Sequence, residues 1–155
     1  MSANSLNVRA LSTMTTGVVT LTDGTRTIGT CTLVAGTCST ATGTLLSGVH
    51  AVSALYAGDA NHASSTSAQI DQTVAQAATT TSVASSSLSS AFGASVTFTV
   101  TVSPAAAGGS ATVYDGANAL GTCTLVSGVC SISSAALTAG SHAIGARYAG
   151  TANYA

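Results

Sequence analysis

The chain has 155 residues, 46% of them hydrophobic and only 5% charged, with a formal net charge of −1. Its acidic and basic side chains are Arg9, Arg26, Arg147, Asp23, Asp59, Asp71 and Asp115, joined by three histidines, and there is no Lys and no Glu. This leaves no electrostatic footprint for nucleic acid, too much apolar and β-branched residue for a disordered chain, and no apolar run near the roughly 18 to 20 residues that span a bilayer.

Met1–Ala10 has neither a basic region nor an apolar stretch, so no secretion leader is read there. The piece is expected to be internal to a larger secreted chain, or to have lost its leader. Strands are then predicted over Gly17–Thr22, Thr27–Leu33, Thr37–Ala41 and His50–Tyr56, with a closing strand in Ser64–Val74. Asp23-Gly24 is a hairpin-turn signal, because glycine tolerates the positive φ that such turns need. Gln76–Thr80 is too short and too poor in glycine for a flexible tether and is expected to be a stiff join. An opening strand follows within Thr79–Phe92. Next comes Val96–Val102, the clearest strand of all, in which Val96, Phe98, Val100 and Val102 alternate with hydroxyl residues at the period of a sheet buried on one face. The remaining strands are Gly109–Tyr114, Ala119–Leu125, Val129–Ser133 and His142–Tyr148, with a second turn signal at Asp115-Gly116.

The second set repeats the first. A shift of 92 places Gly17–Ala63 on Gly109–Ala155 without a gap, with 24 of 47 pairs identical. A period this long suits a complete sandwich of about seven strands rather than a solenoid unit. The expected fold is all-β, two tandem immunoglobulin-like β-sandwich domains at 1–75 and 76–155, arranged end to end. Both are expected to be incomplete at the chain ends, the first lacking an opening strand and the second a closing one. Open edges of this kind are templates for another chain, so end-to-end self-association by strand complementation is the expected assembly.

The residues also carry a family resemblance. Gly17-x5-Asp23-Gly24-x4-Gly29, then Leu45-x2-Gly48-x-His50, then Ala54-x-Tyr56-x-Gly58-Asp59-Ala60-Asn61 recurs 92 residues later and covers nearly the whole chain. It resembles the bacterial immunoglobulin-like (Big-type) tandem repeats of large surface adhesins and other secreted proteins. The resemblance implies a spacer or stalk. Two features depart from the pattern: Asp59 becomes Thr151 in the second copy, and the cysteine pairs are an addition.

Cys31 with Cys38, and Cys123 with Cys130, flank Leu-Val-x-Gly. Each pair is expected to close a disulfide across a hairpin, which implies an oxidising compartment; buried free thiols and zinc are the competing readings, the latter short of the usual ligand set. Tyr56 and Tyr148 share parity with inward-facing neighbours and are read as core residues whose hydroxyls bond the backbone of the preceding corner. His50 and His142 begin the same strand with inward parity and are read as turn-capping core residues, with a metal or pH-sensitive site as the alternative. His62 reads as a loop residue.

Asp23 and Asp115 are assigned to hairpin turns. Asp59 and Asn61 are too few for calcium, which takes about six to eight oxygen ligands. No catalytic residues, metal site or cofactor are expected, since the acidic residues are scattered and no Gly-x-Ser-x-Gly elbow, phosphate loop or zinc-protease motif occurs. The predicted role is an extracellular or cell-surface structural module. The alternatives are an adhesin module binding a glycan or surface protein through pole loops, with Tyr114 and Tyr154 as its exposed aromatics, or an accessory domain of a secreted enzyme. Neither nucleic acid nor membrane insertion is expected.

Overall fold

Residues that alternate between apolar and hydroxyl side chains form sheets with one buried face. The computed structural model describes residues 4–9, 16–43 and 45–155, and no helix occurs among them. Met1–Ala10, read above for a leader, lies partly outside the described residues. The chain divides into two compact units, Met1–Ala75 and Gln76–Ala155.

In unit 1, β1 (Asn4–Arg9) pairs antiparallel with β4 (Thr37–Thr42). The other sheet runs β3 (Arg26–Thr32), β2 (Val18–Asp23), β5 (Gly48–Tyr56), with the short β6 (Ser65–Thr66) and then β7 (Ile70–Val74) lying along the far edge of β5. Val19, Leu33 and Tyr56 form the core, with Val8, Cys31, Cys38 and Ala54 packed against it.

Unit 2 repeats the plan. One sheet is β12 (Val129–Ser134), β9 (Val96–Ser103), β8 (Thr80–Ser85); the other is β11 (Asn118–Thr124), β10 (Ser110–Asp115), β13 (Ile144–Tyr148). Val96, Phe98, Val100 and Val102 of β9 all turn inward against Ala111 and Val113 of β10 and against Leu125. Among the described strands β13 pairs with β10 alone, whereas β5 pairs with β2 on one side and with β6 and β7 on the other.

Gln76–Thr80, expected to be the join, is part of unit 2. Ala77 N–H donates to Asn153 O at 2.8 Å, Ala155 N–H to Ala77 O at 3.0 Å and Thr79 N–H to Ala155 O at 3.1 Å, a parallel bridge that no side-chain pattern announces.

The hairpin tips are tighter than the cysteine spacing required. Val34 and Thr37 exchange backbone hydrogen bonds of 2.9 and 3.1 Å across Ala35-Gly36, whose φ angles are 50° and 76°. Val126, Ser127, Gly128 and Val129 repeat this geometry, with φ of 50° and 78° at the two central residues. Two positive φ values in a two-residue loop suit Asn-Gly best, and an alanine or serine at the first position sits in the disfavoured left-handed region. Ala35→Asn and Ser127→Asn should therefore each stabilise their own unit by about 1 kcal/mol, read as a rise in denaturation midpoint. At the second position Gly128 is required. A Cβ there would lie 2.5 Å from Val102 O and 2.8 Å from Ala105 Cα.

Candidate functional site

Chemistry-bearing side chains gather at the two ends of each unit and at one staple between its sheets. The staple is a disulfide in both copies, Cys31–Cys38 and Cys123–Cys130, each with Cα atoms 5.8 Å apart. It does not bridge two partners of one ladder, as the hairpin reading supposed. β3 and β4 lie in different sheets, as do β11 and β12, and only the tip residues of each hairpin pair. Each disulfide therefore ties one sheet of the sandwich to the other.

At the end of the unit where β5 and β13 finish, the tyrosine end, Tyr56 O–H donates to Thr16 O at 2.9 Å and Tyr148 O–H to Gly108 O at 2.8 Å. The acceptor lies 40 residues upstream, at the lead-in to β2 or β10, and so corrects the expectation of a bond to the preceding corner. Burial raises the Tyr56 phenol above its ordinary value, which keeps it a donor. Tyr148→Phe keeps the ring and removes only this bond. It should cost unit 2 about 1 kcal/mol in denaturant titration.

Unit 1 adds Asp59 at the same end. Its Oδ1 accepts from Asn61 N–H and His62 Nδ1, both at 2.8 Å, and its Oδ2 from the Thr16 N–H and hydroxyl at 3.4 and 3.3 Å. The Asn61 N–H, then the His62 ring and the other donors, hold this carboxyl far below the usual carboxylate range. Both oxygens are thus committed to donors of the chain, and His62 is one of them. Among the described residues no group of three or more His, Cys, Asp or Glu could hold a metal.

The opposite end, where β5 and β13 begin, carries an arrangement that strand parity could not reveal. His50 Nδ1 lies 2.7 Å from Asp23 Oδ2 while its Nε2 lies 2.9 Å from Leu46 O. His142 repeats it with Asp115 Oδ2 at 2.6 Å and Thr138 O at 2.8 Å. The Asp23 carboxylate also accepts the Ala51 N–H at 3.1 Å. Asp23 therefore reaches across to the neighbouring strand, and Asp115 to His142 just ahead of β13, instead of closing their own turns. The histidines are half-buried at the rim and stand outside the hydrophobic core to which they were assigned. Each Nε2 faces a carbonyl oxygen, not a hydroxyl, so the pair lacks the nucleophile that a hydrolytic triad needs.

Sequence reasoning missed one more feature of this end. In unit 2 a groove of about 650 Å³ is lined by Leu88, Phe92, Phe98, Leu137, His142 and neighbouring serines. Leu88 is 99% and Phe92 81% exposed, whereas Tyr114 and Tyr154, named above as exposed aromatics, are half-buried. The Ser-rich stretch around Leu88 and Phe92 has no period to mark it.

Two stapled sandwiches repeating one strand order and one set of end residues agree with the comparison against known families. The bacterial Ig-like domain (group 3) model matches twice, over residues 3–75 and 80–155. The chain belongs to the bacterial Ig-like domain family. Neither curated proteins nor solved structures yield a match. Both matches of this Ig-like chain contain a complete set of the features above, disulfide, tyrosine bond and histidine–aspartate pair. Among the described residues no helix is long and apolar enough to cross a membrane.

Proposed function

We propose that this chain is an extracellular, non-catalytic spacer, a stalk or filament module whose task is reach and mechanical continuity. The observation that carries this reading is the path of the chain through a unit. In unit 2 the chain enters along Ala77–Thr79, hydrogen-bonded beside Asn153–Ala155 at the tyrosine end. In unit 1 it leaves at Val74, which pairs with Gly48 at the histidine end. Entry and exit thus fall at opposite ends of equivalent strands, and the nine residues of β5 span about 30 Å. A disulfide between the sheets of each unit supports an oxidising, extracellular setting.

Small-angle scattering on the chain and on a head-to-tail fusion of two chains tests the reading. A spacer gains maximum dimension in near-equal steps per added unit. A fusion no longer than the single chain would sink it.

Self-association end to end is the assembly we propose for it. The edge of β13 that pairs with no described strand corresponds to the edge of β5 that β6 and β7 cover, so a strand of the Ser65–Val74 kind fits it, with Gln72 opposite His142 as it is opposite His50. A synthetic Ser64–Ala75 peptide should bind the chain and shift its oligomer distribution in light scattering; no binding, from a chain that stays monomeric, would refute it. The second reading, recognition of a glycan or surface protein, has one specific observation in its favour, the exposed Leu88 and Phe92.

A further inference from the structure

The histidine end of each unit holds its imidazole between two acceptors. One ring nitrogen faces a carboxylate oxygen and the other a backbone carbonyl, in both copies and at closely matching distances. A neutral imidazole has one N–H and one lone pair, so it satisfies one of these contacts and opposes the other; only the imidazolium donates to both. We propose that each Asp–His–carbonyl bridge is a proton-locked clasp, holding the connection into β5 or β13 against the end of β2 or β10 while the imidazole carries its second proton and releasing it when that proton is lost. The connection it holds is the one that crosses from one sheet to the other, from β4 to β5 and from β12 to β13.

The charged groups around the two clasps differ in one respect. His50 faces Asp23 from β2 and Arg26 from β3, while β7 sets Gln72 opposite it and turns Asp71, partner of Ala51, to the other face. His142 faces Asp115 from β10 and has Asn118 where Arg26 stands in unit 1, while Arg147 lies further along β13, paired with Thr112. The guanidinium opposes the proton on His50 and nothing equivalent opposes it on His142. Both rings are held protonated above their ordinary 6.5, His50 chiefly by the Asp23 carboxylate and His142 chiefly by the Thr138 carbonyl together with Asp115.

A folded-state pKa above the unfolded one gives stability that is complete below about 6.5 and is lost as pH rises through the raised folded value. The chain has no lysine, and no free cysteine occurs among the described residues. In unit 2 His142 is the one histidine, since Tyr154 stands where unit 1 has His62.

The test is an NMR titration of the imidazole Cε1–H signals, with amide exchange of residues 45–49 and 135–141 followed from about pH 5 to about pH 9. We expect both His50 and His142 to titrate above 6.5, with exchange beyond the intrinsic base-catalysed rise setting in at each ring's own midpoint. His142→Gln, which cannot carry the charge, should make the denaturation midpoint of unit 2 independent of pH over this range while unit 1 keeps its slope. Imidazoles that titrate at or below 6.5, or loops whose protection ignores the titration, would overturn the proposal in the native chain whether or not the variant folds.

Discussion

Phe98→Ala should destabilise unit 2 by about 3–5 kcal/mol and leave unit 1 where it was. Phe98 is 2% exposed and lies among Val96, Val100, Val102, Ala111 and Val113 of the same unit. Truncation removes the transfer free energy of the ring and leaves a cavity between strands that are hydrogen-bonded on both sides of β9, so the site collapses poorly. Single domains of this size hold roughly 5–15 kcal/mol in all, and the loss is a large fraction of that. Denaturant titration followed by residue-resolved exchange should show two transitions in the variant, with unit 2 moved to low denaturant and unit 1 unchanged. A single transition that moves as a whole would mean that the two sandwiches fold as one body.

The second large effect is expected at the staple. Replacing Cys31 and Cys38 together by serine should cost unit 1 about 2.5 kcal/mol, the chain-entropy value for so short a loop, and the matching change at Cys123 and Cys130 should do the same to unit 2. Because each bridge joins the two sheets, its removal should appear first as loss of exchange protection where β4 or β12 meets its partner, rather than as fraying of the hairpin tip. Unreduced peptide mapping should recover both bridges from the native chain. Recovery of Cys31 or Cys38 in any other pairing would contradict the assignment.

Much of this architecture is written in local patterns. The alternation in Val96–Val102 is the burial pattern of β9, and Gly24 and Gly116, with φ of 55° and 56°, sit in the turns that Asp-Gly announced. The 92-residue self-match carries the two-unit plan. What stayed hidden are contacts between elements distant in sequence. Period two tells which face of β5 His50 occupies, but not that Asp23 waits on the neighbouring strand or that Leu46 O closes the other side. Cysteine spacing gives the bond but not that the two strands belong to different sheets. Tyr56 had to find an acceptor once buried, and parity cannot say that it is Thr16. Leu88 and Phe92 escaped because a Ser-rich stretch offers no alternation from which to infer exposure.

Single-molecule extension of the chain held at its two ends tests most directly whether each unit is a separate, stapled module that carries load. Two discrete unfolding steps are predicted. Each should lengthen by about 20 Å when reductant opens the disulfide, because the seven residue steps between its cysteines then extend at about 3.5 Å apiece instead of being held at the Cα separation of the bridge. A smooth extension without steps, or two steps whose lengths do not respond to reductant, would contradict it.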